Sequence, residues 1–118
     1  MNSSFSFSKD TVGFLVDGVL DEERLEKLND KILRKLEQYE SINLYLEDNG
    51  IEKFTLPAIV KEIAFKVEHA SQLNRVALVT DRKWVKACAA IENSLLSSEI
   101  QTFSIEDRMQ AMCWITQR

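Results

Sequence analysis

The stretch Arg75-Val-Ala-Leu-Val-Thr-Asp-Arg-Lys-Trp84 decides the fold, because an apolar, β-branched run ends at Asp81 and a helical pattern follows at once. Val76–Thr80 has no polar alternation, which is typical of a parallel strand covered on both faces in an α/β sheet. Asp81 is predicted to be the N-cap of the next helix, since its carboxylate can accept from backbone N–H groups of the first turn. The stretch therefore predicts a strand that runs directly into a helix.

The rest of the chain repeats this alternation of strands and helices. Further strands are predicted at Ser4–Ser8 and Thr11–Val16, which form an antiparallel hairpin, and at Ile42–Leu46 and Ile100–Phe103. Helices are predicted to begin at Asp21, Thr55 and Ser104, the last with capping-box spacing to Asp107, and Glu47–Gly50 has turn composition. The order β-β-α-β-α-β-α-β-α predicts a single α/β domain, with a mixed, mostly parallel sheet of about five strands flanked by four helices.

Helical spacing predicts which face of each helix is buried. The first helix has a core stripe of Leu25, Leu28, Ile32, Leu36 and Tyr39, with Leu33 beside it. The stripe of the second helix is Leu56, Ile59, Val60, Ile63, Val67 and Ala70, and Phe65 falls on the opposite side near Ala58, Lys61 and His69. The third helix has Trp84, Cys88, Ile91 and Leu95 on one stripe.

Composition indicates a small cytoplasmic domain. A chain of 118 residues has the size of one domain, and its longest apolar runs are far short of a membrane span. The first residues lack the basic region and continuous apolar stretch of a signal peptide. The two cysteines, Cys88 and Cys113, lie in helical patterns, so both are expected to be buried free thiols.

The net charge of −4 argues against nucleic acid as a partner, but the charge is unevenly distributed. From Asp17 to Glu52 there are eleven acidic and five basic residues, which gives −6. From Lys61 to Lys86 there are six basic and three acidic residues, which gives +3. The central segment is therefore expected to present a locally positive face.

No catalytic motif is present in the sequence. There is no phosphate loop, Gly-rich dinucleotide motif, nucleophile elbow or metal-ligand cluster. His69 is the only histidine, and it has no second ligand at zinc spacing and no nearby nucleophile. The sequence therefore predicts a protein that is not an enzyme and needs no cofactor.

Three segments together resemble the SpoIIAA-like family, which is related to STAS and CRAL-TRIO (Sec14-type) domains. They are Gly18-Val-Leu-Asp21, Arg75–Trp84 and Ala111-Met-Cys-Trp-Ile115, and the resemblance spans residues 3–118. It implies a cytoplasmic bacterial protein that binds a lipid-like ligand or contacts the inner face of the membrane, with a sigma-factor regulator as the better-known relative.

In that relative, a serine at the start of the second helix is the phosphorylated switch. The corresponding stretch here is Asp48–Thr55, which has no Asp-Ser-Ser-Gly motif, and Thr55 is its only hydroxyl residue. A phosphosite on Thr55 fits the position but not the motif, so N-capping is the favoured role.

Two groups of candidate binding residues follow from the helix patterns. Phe54, Phe65 and Trp84 are the candidates for contact with an apolar ligand; the alternatives are an isolated exposed phenylalanine and, for Trp84, plain core packing. The candidates for contact with an anion or an anionic membrane are Lys61, Lys66, Arg82, Lys83 and Lys86, whose alternative role is a solvated face.

The leading hypothesis is a non-catalytic binding module for a lipid-like or apolar molecule, with peripheral membrane association. The alternative is a STAS-type regulatory protein–protein interaction module related to anti-sigma factor antagonists, without the usual phosphoserine motif.

Overall fold

The computed structural model describes residues 3–95 and 99–117, and the side chains of residues 3–8, 92, 94 and 95 lie outside that description. The predicted order of elements is confirmed. The strands are β1 (Ser3–Ser8), β2 (Thr11–Leu20), β3 (Ile42–Phe54), β4 (Leu73–Val79) and β5 (Glu99–Phe103). The helices are α1 (Glu22–Leu36), α2 (Leu56–Glu68), α3 (Lys83–Leu95) and α4 (Arg108–Thr116), the last preceded by a short 3₁₀ turn at Ile105–Asp107.

The sheet has the strand order β1-β2-β3-β4-β5. β1 is antiparallel to β2, whereas β2 to β5 are parallel to one another. Each parallel connection moves one strand further in the same direction, so right-handed crossovers place α1, α2 and α3 on one face of the sheet. α4 packs against β4 and β3 and closes the other face. The fold is the predicted mixed, mostly parallel α/β sheet with four helices.

Each face of the sheet has its own hydrophobic core. The larger core lies under α1, α2 and α3 and is built around Phe14, Leu44 and Val76. The smaller core lies under α4 and includes Tyr45, Ala77, Val79, Ala111 and Ile115. Neighbouring residues of β4 thus enter opposite cores, and this confirms that the unbroken apolar run marks a strand covered on both faces.

The predicted turn at Glu47–Gly50 is wrong, because β3 continues through it to Phe54. Asp48 Oδ1 accepts from Gly50 N at 3.0 Å and from Ile51 N at 2.8 Å, which forms the local turn within the strand. Gly50 has φ +109°, a conformation that suits glycine. The extension of β2 to Leu20 supplies a pairing partner for the later part of β3. The segment with turn composition therefore forms a β-bulge within a continuous strand and does not end the strand.

The helix starts show two confirmed N-caps and two errors. Asp21 and Thr55 cap α1 and α2 as predicted, accepting from Arg24 N at 2.9 Å and from Ala58 N at 3.4 Å. Asp81 is not the cap of α3; the helix begins at Lys83, and the Asp81 carboxylate accepts instead from Ile105 N at 3.2 Å. The capping box at Ser104 is also wrong, because its hydroxyl donates to the Asp107 carboxylate and neither residue caps a backbone N–H.

The buried faces of α1 and α3 differ in how well the sequence predicts them. In α1, Leu25, Leu28 and Ile32 are buried as expected, and only Leu33 beside the stripe is exposed. In α3 the buried residues are Val85 and Ala89, while the predicted stripe residues Trp84 and Ile91 are 40% and 58% exposed. The side chain of Leu95, the remaining stripe member, lies outside the described residues.

The expectation that both cysteines are buried is wrong. They are free thiols, but Cys88 is half-buried and Cys113 lies on the exposed side of α4. α4 buries Ala111 and Ile115 against the sheet, and Cys113 lies two residues from each of them, about 200° around the helix.

Candidate functional site

Helix α2 is inverted relative to the sequence prediction. Half of the expected core stripe faces outward: Leu56 is 72% exposed, Val60 61% and Val67 57%, whereas Ile59 and Ala70 are half-buried. Ile63 is half-buried, so the predicted burial of Ile63 and Val67 is wrong. Leu56, Val60, Ile63 and Val67 follow one another at i, i+4, i+7 and i+11 and form a continuous line, which we call the α2 stripe.

The inner face of α2 is the side that the sequence assigns to solvent. Ala58 is fully buried, and Phe65 packs against the larger core. Lys61 Nζ lies 2.5 Å from Glu26 Oε1 and 3.9 Å from Glu22 Oε2, which ties α2 to α1. The His69 ring packs against Phe65 in a tilted arrangement with centroids 4.6 Å apart, and its Nδ1 is 2.8 Å from Gln72 Oε1. Lys61 and His69 can therefore lie on the inner side of α2, because Lys61 has an ionic partner there and His69 a hydrogen-bonding partner.

An apolar cavity of about 100 Å³ lies between α2, α3 and the sheet. Phe54, Phe65 and Trp84, the three candidates for ligand contact, all line it. Phe54 and Phe65 are half-buried, whereas Trp84 is partly exposed at the first turn of α3. The rest of the lining is mostly aliphatic, from α1, β2, β3, β4 and α3. The structure therefore brings together three aromatic residues that are up to thirty positions apart in sequence.

An ion pair within α2 also borders this cavity. Glu62 and Lys66 form an i,i+4 salt bridge, and their side chains are only 14% and 11% exposed. Removing either partner alone takes an ionic contact away from a largely buried charge, which is costly. Sequence patterning missed this pair, although a Glu–Lys spacing of four residues on a helix is a recognisable signal.

A polar network closes the carboxyl end of the sheet beside the cavity. Asp48 Oδ2 accepts from Thr80 Oγ1 at 2.7 Å and from Arg82 Nε at 2.9 Å. Burial of Asp48 raises its pKa, but the hydrogen bonds from Ile51 N, Thr80 and Gly50 N, together with the charge of Arg82, outweigh burial and lower it overall. The site therefore holds an ionised carboxylate that is already fully engaged.

The five predicted anion contacts do not form one free positive surface. Lys61 is paired with α1, Lys66 with Glu62 and Arg82 with Asp48. Lys83 is exposed and Lys86 is half-buried near the start of α3. Three of the five cations therefore serve internal contacts. Two of them pair with carboxylates from outside the central segment, Glu26 and Asp48, which offset most of its +3 balance.

A second polar group lies on the α4 side of the sheet and was not found by sequence reasoning. Tyr45 Oη donates to Glu47 Oε1 at 2.6 Å, and Arg108 Nη1 lies 3.8 Å from Glu47 Oε2. Burial raises the pKa of Tyr45, and the neighbouring Glu47 carboxylate raises it further. The i,i+2 spacing of Tyr45 and Glu47 in a strand places both on one face, which was the available signal.

Residues 3–95 and 99–117 contain neither a cluster of metal-ligating side chains nor a membrane-spanning helix. No group of three or more metal-ligating side chains occurs there. No helix in the same residues is long and apolar enough to cross a membrane.

The fold matches those of known structures. An uncharacterized protein from the DUF3478 family with a SpoIIAA-like fold, from Shewanella loihica PV-4, superposes with a TM-score of 0.77 at 19% identity, covering 97% of this chain and 93% of that one. The anti-sigma factor antagonist SpoIIAA in its unphosphorylated form gives a TM-score of 0.64 at 12% identity, covering 93% and 96% of the two chains.

The Bacillus cell fate determinant SpoIIAA in its phosphorylated form gives a TM-score of 0.60 at 13% identity, with 93% and 97% of the two chains covered. At these identities the structural likeness concerns the fold. None of the curated proteins compared with this sequence matches it. The family model described as SpoIIAA-like matches residues 11–116, almost the whole domain. The chain therefore belongs to the SpoIIAA-like family.

Proposed function

We propose that this protein is a non-catalytic regulatory module that binds a partner protein through the α2 stripe. The observation that carries the proposal is the exposure of Leu56, Val60 and Val67 on a helix whose opposite face is anchored to the fold. Single exposed apolar residues are ordinary, but a continuous apolar line on one helix is typical of a contact surface. The structural likeness to an anti-sigma factor antagonist supports the same class of function.

The size of the α2 stripe favours a transient contact. Three aliphatic side chains at these exposures offer roughly 300 Å² of apolar surface, whereas a stable interface buries about 800 Å² on each partner. A partner helix that places apolar residues at the same i, i+4, i+7 spacing matches the stripe. Reversible binding of this kind suits regulation better than permanent assembly.

A photo-crosslinking amino acid at position 60 tests the proposal. Introduced into the protein in its own host cells, it should capture a discrete partner, and the same amino acid at position 109 should not. Met109 is a matched control because it is 67% exposed but lies on α4, on the other face of the sheet. The captured protein is then purified, and Val60→Ser should weaken its binding to the intact domain at least tenfold, whereas Met109→Ser should not.

A second candidate function, binding of a small apolar molecule, is favoured by the cavity lined by Phe54, Phe65 and Trp84. An apolar cavity of about 150 Å³ stays dry and takes up benzene, so a cavity of about 100 Å³ admits only a small apolar group unless α2 moves. A whole lipid molecule therefore does not fit the cavity in this conformation, although part of one does.

Solvent extraction of the purified protein, followed by mass spectrometry, tests this second candidate. A stoichiometric apolar molecule should be recovered from the wild type and lost when Ala89→Leu fills the cavity. Ala90→Leu, at an exposed position of the same helix, is the control and should retain it. Recovery of no such molecule from either protein contradicts this candidate and leaves the protein-docking proposal unaffected.

A further inference from the structure

Two groups of oppositely charged residues lie on different sides of helix α1. Glu22 and Glu26 lie on the side next to α2, where both face Lys61. Lys27, Lys31 and Arg34, at i, i+4 and i+7, lie roughly a third of a turn further round, away from both α2 and the buried stripe. We call these three cations the basic flank. It falls within the segment from Asp17 to Glu52, whose net charge is −6, so the count along the sequence does not reveal this group of cations.

The basic flank makes little contribution to holding the fold together. Lys27 contacts Glu23 at 3.7 Å, but both side chains are more than 70% exposed, so solvent screens the pair. Lys31 and Arg34 are exposed and make no ion pair with any residue in ranges 3–95 and 99–117. By contrast, Arg24 on the same helix donates to Asp17 O at 2.6 Å and to Val19 O at 2.7 Å. Arg24 thus ties α1 to the end of β2, whereas the three cations of the basic flank face solvent.

We propose that the basic flank docks an acidic helix of a partner protein. The three cations span about 10 Å along one side of α1, the length of two helical turns, so carboxylates at i, i+4 and i+7 of a partner helix can face them in register. Glu23 and Asp30 border the basic flank on the side towards α2. Their negative charge repels an acidic helix that approaches from that side. This surface is separate from the α2 stripe and does not depend on its function.

An acidic protein segment fits these observations better than a nucleic acid or a membrane. Nucleic-acid binding proteins commonly make six to ten phosphate contacts, whereas this flank offers three cations on a chain with net charge −4. Stable membrane association needs apolar insertion beside the cations, and Leu33, the exposed apolar residue of α1, lies on the opposite flank with Glu22 and Glu26.

Fluorescence anisotropy with two labelled helical peptides tests the inference. One peptide has glutamates at i, i+4 and i+7, and the other has glutamines at the same positions. At low salt the wild type should bind the glutamate peptide at least tenfold more tightly. Lys27→Gln, Lys31→Gln and Arg34→Gln combined should abolish that preference. Lys9→Gln, Lys53→Gln and Lys83→Gln combined remove the same charge from exposed positions elsewhere and should preserve it.

Two results would overturn the inference. Equal weakening by the two triple variants would show that only net charge matters, and equal binding of the two peptides by the wild type would show that the flank does not recognise carboxylates. Flank-dependent binding of a single-stranded RNA oligonucleotide or of anionic vesicles, tighter than binding of the glutamate peptide, would assign the surface to a different partner and so reject an acidic helix. Because neither variant alters the α2 stripe, failure here is distinguishable from failure of the proposed function.

Discussion

Helices α1 and α2 are neighbours on the same face of the sheet, yet they orient their apolar stripes in opposite directions. In α1 the stripe of Leu25, Leu28 and Ile32 is buried against the sheet. In α2 the equally regular stripe faces solvent, and the inward side holds Ala58, Lys61 and Phe65. Both helices therefore have an apolar stripe at helical spacing, but only the stripe of α1 is buried.

The difference shows what a hydrophobic stripe can and cannot determine. Burying apolar surface is worth roughly 25 cal/mol per Å², so α2 forgoes stabilisation by exposing its stripe. Part of that loss is offset by Phe65 and Ala58 in the core and by the ion pairs of Lys61 and of Glu62 with Lys66. A partner that covers the α2 stripe would recover the remainder, which is why the inversion favours a docking function.

The largest expected difference between the helices is in the cost of truncating their stripes. Ile32→Ala in α1 should lower the free energy of unfolding by about 2–5 kcal/mol, since Ile32 is buried. Val60→Ala in α2 should change it by less than about 0.5 kcal/mol, since that side chain is mostly exposed. Urea denaturation of the two variants measures both values. Similar losses would mean that the α2 stripe is covered in solution.

A second test concerns the strand that leads into α2. Asp48→Asn should cost about 1.5–3 kcal/mol near neutral pH, because it weakens the charge-assisted hydrogen bonds from Arg82 and Thr80. Folding lowers the pKa of Asp48, so its ionised form contributes full stability above the unfolded pKa of about 3.9 and loses it as pH falls through the lower folded value.

The stability gap between wild type and Asp48→Asn should therefore be constant above about pH 5 and shrink below about pH 4. Thermal denaturation of both proteins across this range provides the measurement. A gap that is independent of pH down to pH 2 would show that the charge of Asp48 has no role in holding the β3 bulge.

The same substitution on opposite faces of α2 tests its orientation directly. Ala58→Leu should destabilise the protein by about 1–3 kcal/mol, because Ala58 is fully buried and the larger side chain overpacks the core. Ala64→Leu, on the exposed side, should stay within about 0.5 kcal/mol of the wild type. Chemical denaturation with guanidinium distinguishes the two. If Ala64→Leu were the more damaging change, the helix would be rotated towards the orientation that the sequence predicts.

The smallest effect compares the N-caps of the two helices. Asp21 accepts from Arg24 N at 2.9 Å, whereas Thr55 accepts from Ala58 N at 3.4 Å. Asp21→Ala should cost about 1 kcal/mol and Thr55→Ala roughly half of that, because the longer contact is the weaker one. Melting temperatures of the two variants rank the caps. A larger loss for Thr55→Ala would indicate a role for its hydroxyl beyond capping.

The candidate site was only partly predictable from the sequence. Phe54, Phe65 and Trp84 were selected one by one from helix geometry, but their meeting around one cavity depends on the packing of α2 and α3 over the sheet. The Asp48–Thr80–Arg82 network joins residues more than thirty positions apart, and no local pattern encodes such a contact.

Sequence alone determined the order of elements, the doubly covered strand β4, the buried stripe of α1 and the caps at Asp21 and Thr55. These features depend on interactions within a few residues or on strand periodicity, and both are readable along the chain. The tertiary structure alone decided the inversion of α2, the bulge in β3 and the release of Asp81 from the start of α3. Each of these results from a competing contact supplied by a distant segment, namely the larger core for Phe65 of α2, the extended end of β2 for β3, and Ile105 N for Asp81.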